Sequence, residues 1–488
     1  MPFAPGWEDE YEEFIVDCMS EHDIPGVSVA VSRNGRSIYS RGFGFADPVE
    51  GIEATGDTLY ELASVGKSMA ALAIMMLEER GGLSTGDPVA HHLEDFRIGG
   101  TSRWDSKAVT LEHLMSHTSG LPPTAALRYA TRDSLDNSVV DAMRRSGDWD
   151  SWIEGPDIRS SDDLIAYLSG TDIRPLGRPG EFFSYSNDGY ALLGAVIERV
   201  DGRSFARFAR DEILQPLGME RTTFHPDPRG EPDVAASFTR QGDGDPIRFT
   251  TWEHSPPMTA AGFVRSSAKE MMRFGQMLLN RGSFDGHRLV SPASIDRMIA
   301  PRVPISPEAH YGLALTRRRT ADGATIVEHG GGGMGVRTNF GLIPEMGVSI
   351  MLMTNAAWAP AGNLWFALAN ALSGMDVRTP RFCRPKVEIR ASILDRWRGE
   401  YESDEGHRLE VIVNDGRPQL TMQGSELTLD PSGPASAVFT FGGELNEINF
   451  IPGPDGEIAA AFIGHRMVEK LTGSVSMDGQ ISMWRRGE

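Results

Sequence analysis

Ser64 and Lys67 stand three residues apart in the stretch ELASVGKSMAALAIMMLEERGG, residues 61–82. On a helix, positions i and i+3 share a face, so the amine of Lys67 can reach the hydroxyl of Ser64 and activate it as a nucleophile. A free serine hydroxyl is a poor nucleophile at neutral pH. A helix start helps, because its unpaired N–H groups and positive dipole end favour negative charge developing near Ser64. Lysine is also scarce, occurring only at Lys67, Lys107, Lys269, Lys386 and Lys470 among many arginines, and a retained lysine marks a place that can use a deprotonatable amine. The same spacing recurs at Ser266 and Lys269. There a bland reading is better: Ser267 and Glu270 form a capping box, and Lys269 is a solvated first-turn residue.

Two other stretches carry groups able to move protons or hold a substrate. In EFFSYSNDGYALLGAVIERV, which begins at residue 181, Tyr185 and Asn187 flank Ser186 just before an apolar helix, and of the nine tyrosines only Tyr185 has Asn two positions on. In TIVEHGGGGMGVRTNFGLIPEMGVSIMLMTN, His329 opens a four-glycine run. Gly330, Gly332 and Gly335 formally spell a dinucleotide fingerprint, but a strand pattern follows where a helix is required, and no acidic residue stands about twenty positions on. The glycines are read as letting a substrate backbone approach a strand edge. His310-Tyr311-Gly312 is a rival His-x-Gly without the glycine run. His113 and His117 share a helix face, yet no motif places a third metal ligand, so they are read as structural supports of the site floor. His91 and His92 are read as solvated loop residues near Glu94.

These groups need a scaffold to converge. Behind Ser64 and Lys67, the residues Met69, Leu72, Ala73, Met76 and Leu77 keep a helical period, and Gly81-Gly82 stop the helix. Trp7, Tyr11, Phe14, Ile15 and Cys18 predict an amphipathic N-terminal helix. GVSVAVSR and RSIYSRGFG, joined at Asn34-Gly35, predict a hairpin. Helices are expected at 109–122, near SDDLIAYL, after Tyr190, at MMRFGQMLLN, at the Ser-Pro start of SPASIDRMIA and at AGNLWFALANAL. Residues 123–180 otherwise look broken, like a lid, a binding wall or an insertion. After a linker-like stretch at 376–390, short strands separated by Gly, Pro, Asp and Asn predict a small antiparallel barrel or sandwich.

The 488 residues exceed one typical domain, and the 40% hydrophobic content suits a real core. A net charge of −21 argues against nucleic acid or an anionic membrane as partner. Only Cys18 and Cys383 occur, so reduced thiols are expected. MPFAPGWEDEYEEF lacks the basic and apolar regions of a signal peptide, and no spanning helix is visible. A cytoplasmic protein without membrane insertion is the expectation.

The ordered set Ser64-x-x-Lys67, Tyr185-x-Asn187 and His329-x-Gly331 resembles the serine beta-lactamase and penicillin-binding-protein superfamily, most closely its class C beta-lactamase-like hydrolases, esterases and D-aminopeptidases. HTSGLP at 117–122, PLGM at 216–219 and GLIPEMGVSIMLMTN match the same family's habits. The resemblance implies an α/β catalytic domain, an antiparallel sheet flanked by helices plus an all-α subdomain, over residues 1–380. A linker at 381–390 would lead to a C-terminal all-β barrel at 391–488 that looks like the lipocalin-like module of some D-aminopeptidase-type members. It implies further that Ser64 forms an acyl-enzyme, with Lys67 and Tyr185 sharing proton transfer and His329 opening the third catalytic motif. Asn187 and Gly331 would bind substrate, and the N–H groups of Ser64 and Gly332 would hold the oxyanion. No metal or organic cofactor is implied. Where family beta-lactamases carry Lys-Thr-Gly and a hydroxyl residue, this chain has His329-Gly330-Gly331-Gly332, which weakens carboxylate recognition. The expected substrate is therefore a small D-amino-acid amide or peptide. A carboxylesterase is the alternative, and a non-catalytic sensor of penicillin or peptidoglycan fragments is the reading from another class. The partner is a small-molecule or peptide substrate; the sequence sets no oligomeric state, and a homo-oligomer is compatible with it.

Overall fold

The computed structural model describes residues 3–97, 108–147, 149–226, 230–241, 244–320, 323–453 and 455–471. Lys107 and the last part of the expected barrel, 472–488, lie outside the described residues.

Two nine-stranded sheets organise the chain. The first is antiparallel throughout and runs, edge to edge, Val303–Ser306, Ala309–Tyr311, Thr316–Arg319, Thr325–Gly332, Arg337–Ile343, Val348–Thr354, Gly26–Arg33, Arg36–Asp47 and Ile52–Glu53. The N-terminal hairpin thus closes against a strand more than three hundred residues away, with Val27 opposite Thr354 and Arg33 opposite Val348. Its turn is made by Asn34 and Gly35, both at positive φ (50° and 81°), as a tight two-residue hairpin turn requires. Alternation along Gly26–Arg33 explains the layering. Val27, Val29 and Val31 face a core shared with the helices Trp7–His22 and Ala361–Ser373, whereas Ala30 faces the opposite core.

That opposite core contains the helix Ala268–Leu279 and a cluster of helices, among them Lys67–Glu79, Leu111–Met115, Ser161–Gly170, Asn187–Asp201 and Phe205–Ala209. The helix Lys67–Glu79 buries every residue from Lys67 to Leu77, so it runs through the middle of the protein. The expected helix start moves: Ser64 lies in a 3-10 turn, Ala63–Gly66, and the α-helix begins at Lys67. Residues 123–180 are more helical than the sequence reading allows, with Ala126–Thr131, Asn137–Ser146 and Asp150–Ile153 ahead of Ser161–Gly170. Ala126–Thr131 and Asp150–Ile153 are short enough to hide a period; Asn137–Ser146, as long as Ser161–Gly170, is not. Asn137–Ser146 is also capped at both ends, by the Asp136 side chain and by Gly147 at φ 83°, and it buries Val139, Val140, Ala142 and Met143.

The second sheet runs Ser425–Thr428, Arg417–Met422, Arg408–Asn414, Gly399–Glu402, Arg466–Lys470, Ile458–Ile463, Glu444–Pro452, Ser436–Phe441 and Asp430–Gly433, and it curls into a nearly closed barrel. Trp397 stacks on Phe450 in its interior at 4.5 Å, with Tyr401, Leu409, Val411, Leu420 and Ile448 around them. An apolar seam joins the barrel to the first sheet: Leu176, Phe183, Tyr185, Ile305 and Tyr311 meet Ile451, Ala460, Phe462 and Met467. Cys18 is buried and Cys383 exposed, and both are free thiols. Among the described residues no helix is long and apolar enough to cross a membrane.

Candidate active site

The turn that carries Ser64 is held from two sides. Ala63, immediately before it, has φ 48°, a left-handed conformation that a residue with a side chain adopts only where the surroundings enforce it. One enforcing contact is visible: the Thr338 hydroxyl donates to the Leu62 carbonyl at 2.9 Å, which ties the chain entering the turn to the strand Arg337–Ile343. Opposite Thr338 sits Gly331. Any Cβ there would run into the Leu62 carbonyl and the Thr338 hydroxyl, so only glycine lets the strand Thr325–Gly332 pass this close to Ser64. The glycine at 331 therefore accommodates the protein's own backbone, which is a different use from the substrate approach read in the sequence. Gly330 and Gly332 are exposed on the same strand end.

Lys67 is fully buried. Its Nζ lies 3.2 Å from Ser64 Oγ, 2.8 Å from Asn187 Oδ1 and 2.5 Å from the Ala261 carbonyl oxygen. Burial drives its pKa well below the ordinary lysine range; Arg466 pushes the same way, and Glu405 and Asp188 oppose. A neutral amine fits the three contacts: two N–H groups donate to Asn187 and Ala261, and the remaining lone pair faces the Ser64 hydroxyl. That is the arrangement needed to accept the hydroxyl proton.

Tyr185 stacks its ring 4.8 Å from Lys67 Nζ and 4.1 Å from the ring of His117. Its hydroxyl is buried and has no hydrogen-bond partner of good geometry among the described residues. Burial raises its pKa, Ser64 and Arg466 draw it down, and Glu405 raises it. Asn187 opens the helix Asn187–Asp201, whose cap is the Ser186 side chain accepting from the Gly189 N–H. His117 Nδ1 accepts the Ser186 N–H at 3.1 Å, and burial keeps the ring well below the ordinary histidine range, so it is a neutral support beneath Tyr185. His113 is used differently, in the cap of Leu111–Met115, where its Nδ1 accepts the Thr110 N–H.

His329 is held neutral as well. Its Nδ1 donates to the Gly330 carbonyl at 2.6 Å, which leaves Nε2 as acceptor for the Tyr311 hydroxyl at 3.0 Å. Burial and the neighbouring Lys67 lower its pKa to about 4. Tyr311, from the rival His-x-Gly, thus serves the first one. The other Ser-x-x-Lys behaves as the bland reading expects in part: Ser267 accepts from the Glu270 N–H, and Lys269 is exposed and paired with Asp57 at 3.0 Å. The box is only half formed, because the Glu270 carboxylate turns to the Arg221 N–H and the Thr222 hydroxyl.

Several site residues carry no signal in the sequence. Glu405 Oε1 accepts from Asn187 Nδ2 at 3.0 Å, and Arg466, paired with Glu405, lies 5.1 Å over the Tyr185 ring. Both come from the barrel. Asp188, beside Asn187, is buried, and burial raises its carboxyl to about 7 while it accepts the Thr124 N–H. Among the described residues one set of side chains, Asp87, His91 and His92, brings three ligand atoms within 4.8 Å of one another. His91 and His92 lie on a helical turn, Val89–His92, where a loop was expected, and His92 bonds to Asp87 at 3.0 Å. This group shares no residue with the Ser64 site.

A family model described as Beta-lactamase matches residues 11–371. Protein flp of Staphylococcus aureus (strain MW2) is 26% identical over 273 residues, 54% of this chain and 48% of that protein, so the chain spans about half the length of this curated relative. Penicillin-binding protein 4* of Bacillus subtilis (strain 168) is 26% identical over 436 residues, 84% of this chain and 87% of that one. Among solved structures, the octameric penicillin-binding protein homologue from Pyrococcus abyssi superposes with a TM-score of 0.67 at 27% identity, over 95% of this chain and 100% of that one.

Proposed function

The chain belongs to the beta-lactamase family, and from that premise we propose that it is a serine hydrolase working through an acyl-enzyme on small D-amino-acid amides or peptides. The observation that carries the reading is the buried Lys67 amine, depressed in pKa and 3.2 Å from Ser64 Oγ. Ser64 Oγ attacks the acyl carbon as Lys67 takes its proton, and the carbonyl oxygen becomes an oxyanion held by the N–H groups of Ser64 and Gly332. The tetrahedral intermediate collapses with loss of the amine, which takes a proton from the Lys67 and Tyr185 pair. Water then repeats the sequence on the ester, losing its proton to the same pair and releasing the acid.

Substrate class follows from what His329 does not offer. A neutral ring with both nitrogens occupied supplies no cation for a carboxylate next to the scissile bond. Arg466 is nearby but already paired with Glu405. This disfavours substrates that need a carboxylate anchor and favours amides or esters without one, which also supports the carboxylesterase alternative. The division into a hydrolase part (1–380), a connection (381–390) and a lipocalin-like barrel (391–488) belongs to the same proposal.

The test is initial hydrolysis rates on D-alanyl and L-alanyl p-nitroanilide beside p-nitrophenyl butyrate, with Ser64→Ala as control. A preference for the D-anilide that Ser64→Ala abolishes is the expected result. Ester cleavage alone moves the assignment to a carboxylesterase, and turnover that survives Ser64→Ala overturns the serine mechanism.

A further inference from the structure

The barrel does more than lie beside the cleft. Its turn at Gly464 and His465, between the strands Ile458–Ile463 and Arg466–Lys470, threads against the Tyr185 segment: the Tyr185 N–H donates to the His465 carbonyl at 2.9 Å, and the Met467 N–H donates to Ser184 Oγ at 3.3 Å. A second hairpin, between Gly399–Glu402 and Arg408–Asn414, brings Glu405 to Asn187 and is anchored through the Asp404 carbonyl to Arg128 at 3.1 Å. Two separate hairpins of one sheet therefore converge on the two residues of Tyr185-x-Asn187.

We propose that Glu405 and Arg466 are positioning residues of the Ser64 site, Glu405 acting through the amide of Asn187 and Arg466 through the ring of Tyr185, so that proton transfer at Ser64 and Lys67 is set from the second sheet. The inference rests on the serine-hydrolase reading and goes beyond it by assigning two residues outside the three motifs.

The geometry of Asn187 carries the first half. Its amide can be turned either way, and only one orientation is compatible with both neighbours. With Oδ1 on Lys67 Nζ and Nδ2 on the Glu405 carboxylate, both contacts pair a donor with an acceptor. The flipped amide would set N–H groups against the amine and an oxygen against the carboxylate. Glu405, with only 9% of its side chain exposed, is thus what aims the Asn187 oxygen at Lys67. It is itself fixed by Arg466 and, at 3.3 Å, by His407.

The second half is electrostatic. The titratable groups facing Lys67 are Arg466 and Glu405 from the barrel and Asp188 from the helix Asn187–Asp201, whose carboxyl is raised to about 7; the rings of Tyr185, Tyr190, His117 and His329 face it as neutral groups. Arg466 disfavours a proton on Lys67, and Glu405 favours one. Removing either member of the pair alone must therefore move the amine in opposite directions, which a purely structural role would not do.

The experiment follows the pH dependence of Ser64 modification by a fluorophosphonate, detected by mass spectrometry on the full-length protein, with D-alanyl p-nitroanilide turnover in parallel. The variants are Glu405→Gln, Arg466→Gln and Arg466→Lys. Below the plateau of the profile, relative to each protein's own plateau, Arg466→Gln should react roughly three- to tenfold more slowly than wild type and Glu405→Gln faster by a similar factor, because one charge near the amine is gone in each. Arg466→Lys should restore the wild-type profile. Acid limbs that stay put, or that move the same way in both Gln variants, overturn the proposal. If instead the wild-type Ser64 is not modified and turnover survives Ser64→Ala, the hydrolase reading itself has failed. Glu405→Gln keeps both the shape and an acceptor for Asn187, so its result stands even where an Arg466 variant folds poorly.

Discussion

At the scale of single residues, the chemistry turns on whether Lys67 can exist as a free amine. Burial draws its pKa well down, and with two N–H groups on Asn187 and Ala261 a neutral amine would turn its lone pair to Ser64. Lys67→Arg should then be far worse than its conserved charge suggests, because a guanidinium stays protonated at any working pH. A loss of about 10²- to 10⁴-fold in the rate of Ser64 modification is expected, the usual worth of a positioned base, with the far-ultraviolet circular dichroism spectrum unchanged. The pH profile has a definite sign. A depressed lysine loses its proton at lower pH than a free one, so the wild-type rate should rise and level off well below the ordinary lysine range. A rate still climbing through that range would show that Lys67 is charged at rest. Ser64 and Lys67 could be singled out in the sequence only together with the Tyr185 and His329 motifs, since the same spacing recurs at Ser266 and Lys269 with a bland reading. The Ala261 carbonyl could not be, since every residue has a carbonyl and nothing in the chain says which one closes on Nζ. Glu405 and Arg466 were hidden for another reason: their partners are more than two hundred residues away, and no local pattern records that separation.

At the scale of elements, the strand Thr325–Gly332 shows how the site is held in register. Glu328, next to His329, is buried and accepts from Arg318 at 2.7 Å, from Arg381 at 2.5 Å and from Asn339 at 3.2 Å. Despite burial, the two guanidinium groups hold its carboxyl down at about 2. Arg381 belongs to the stretch between the two sheets, so this carboxylate ties that stretch to the strand carrying Gly331 and Gly332. Glu328→Gln would leave Arg318 buried without its counter-charge, and a loss of about 3–5 kcal/mol is expected from urea unfolding at pH 7. The acid dependence should change too. In the wild type, the contribution of Glu328 is present above the carboxyl range of the unfolded chain and is lost as pH falls through that range toward about 2; Glu328→Gln lacks that component, so its stability should fall less steeply there. Equal slopes for both proteins would remove Glu328 from the account. Elements were the most legible level: the Asn34-Gly35 hairpin, the amphipathic helix Trp7–His22 and the Ser291-capped helix Pro292–Ile299 all follow from turn chemistry or period. Ala126–Thr131 and Asp150–Ile153 were not, because one or two turns give too few residues for a period to show, whereas Asn137–Ser146 keeps Val139, Val140, Ala142 and Met143 on one face and was missed all the same.

At the scale of the whole molecule, the question is what keeps the barrel on the cleft. The barrel has a core of its own, with Trp397 on Phe450, and meets the rest of the chain through the separate seam in which Phe183 packs on Phe462 edge to face at 6.1 Å. Ion pairs reinforce it: Arg384 reaches Glu308 of the first sheet at 2.6 Å and Glu447 of the second at 2.8 Å, bridging the two. Phe462 is the side chain to remove, since it faces the seam and lies outside the barrel's inner core. Phe462→Ala should cost about 3–5 kcal/mol, as for other large-to-small changes at buried aromatic positions. The distinctive expectation is where that loss appears. Arg384 bridges the two sheets while the barrel is seated, and loosening the seam breaks its pair with Glu447 and loosens the connecting stretch that also carries Arg381. Limited trypsinolysis should then cut Phe462→Ala after Arg381 faster than wild type, at denaturant concentrations where the first sheet is still folded; Arg384 precedes Pro385 and is not a trypsin site. Ser64 modification should slow in step with that cutting, because Glu405 and Arg466 leave Asn187 and Tyr185 together with the barrel. Faster cutting without slower modification would separate docking from catalysis and make the barrel a cover over a site that works without it.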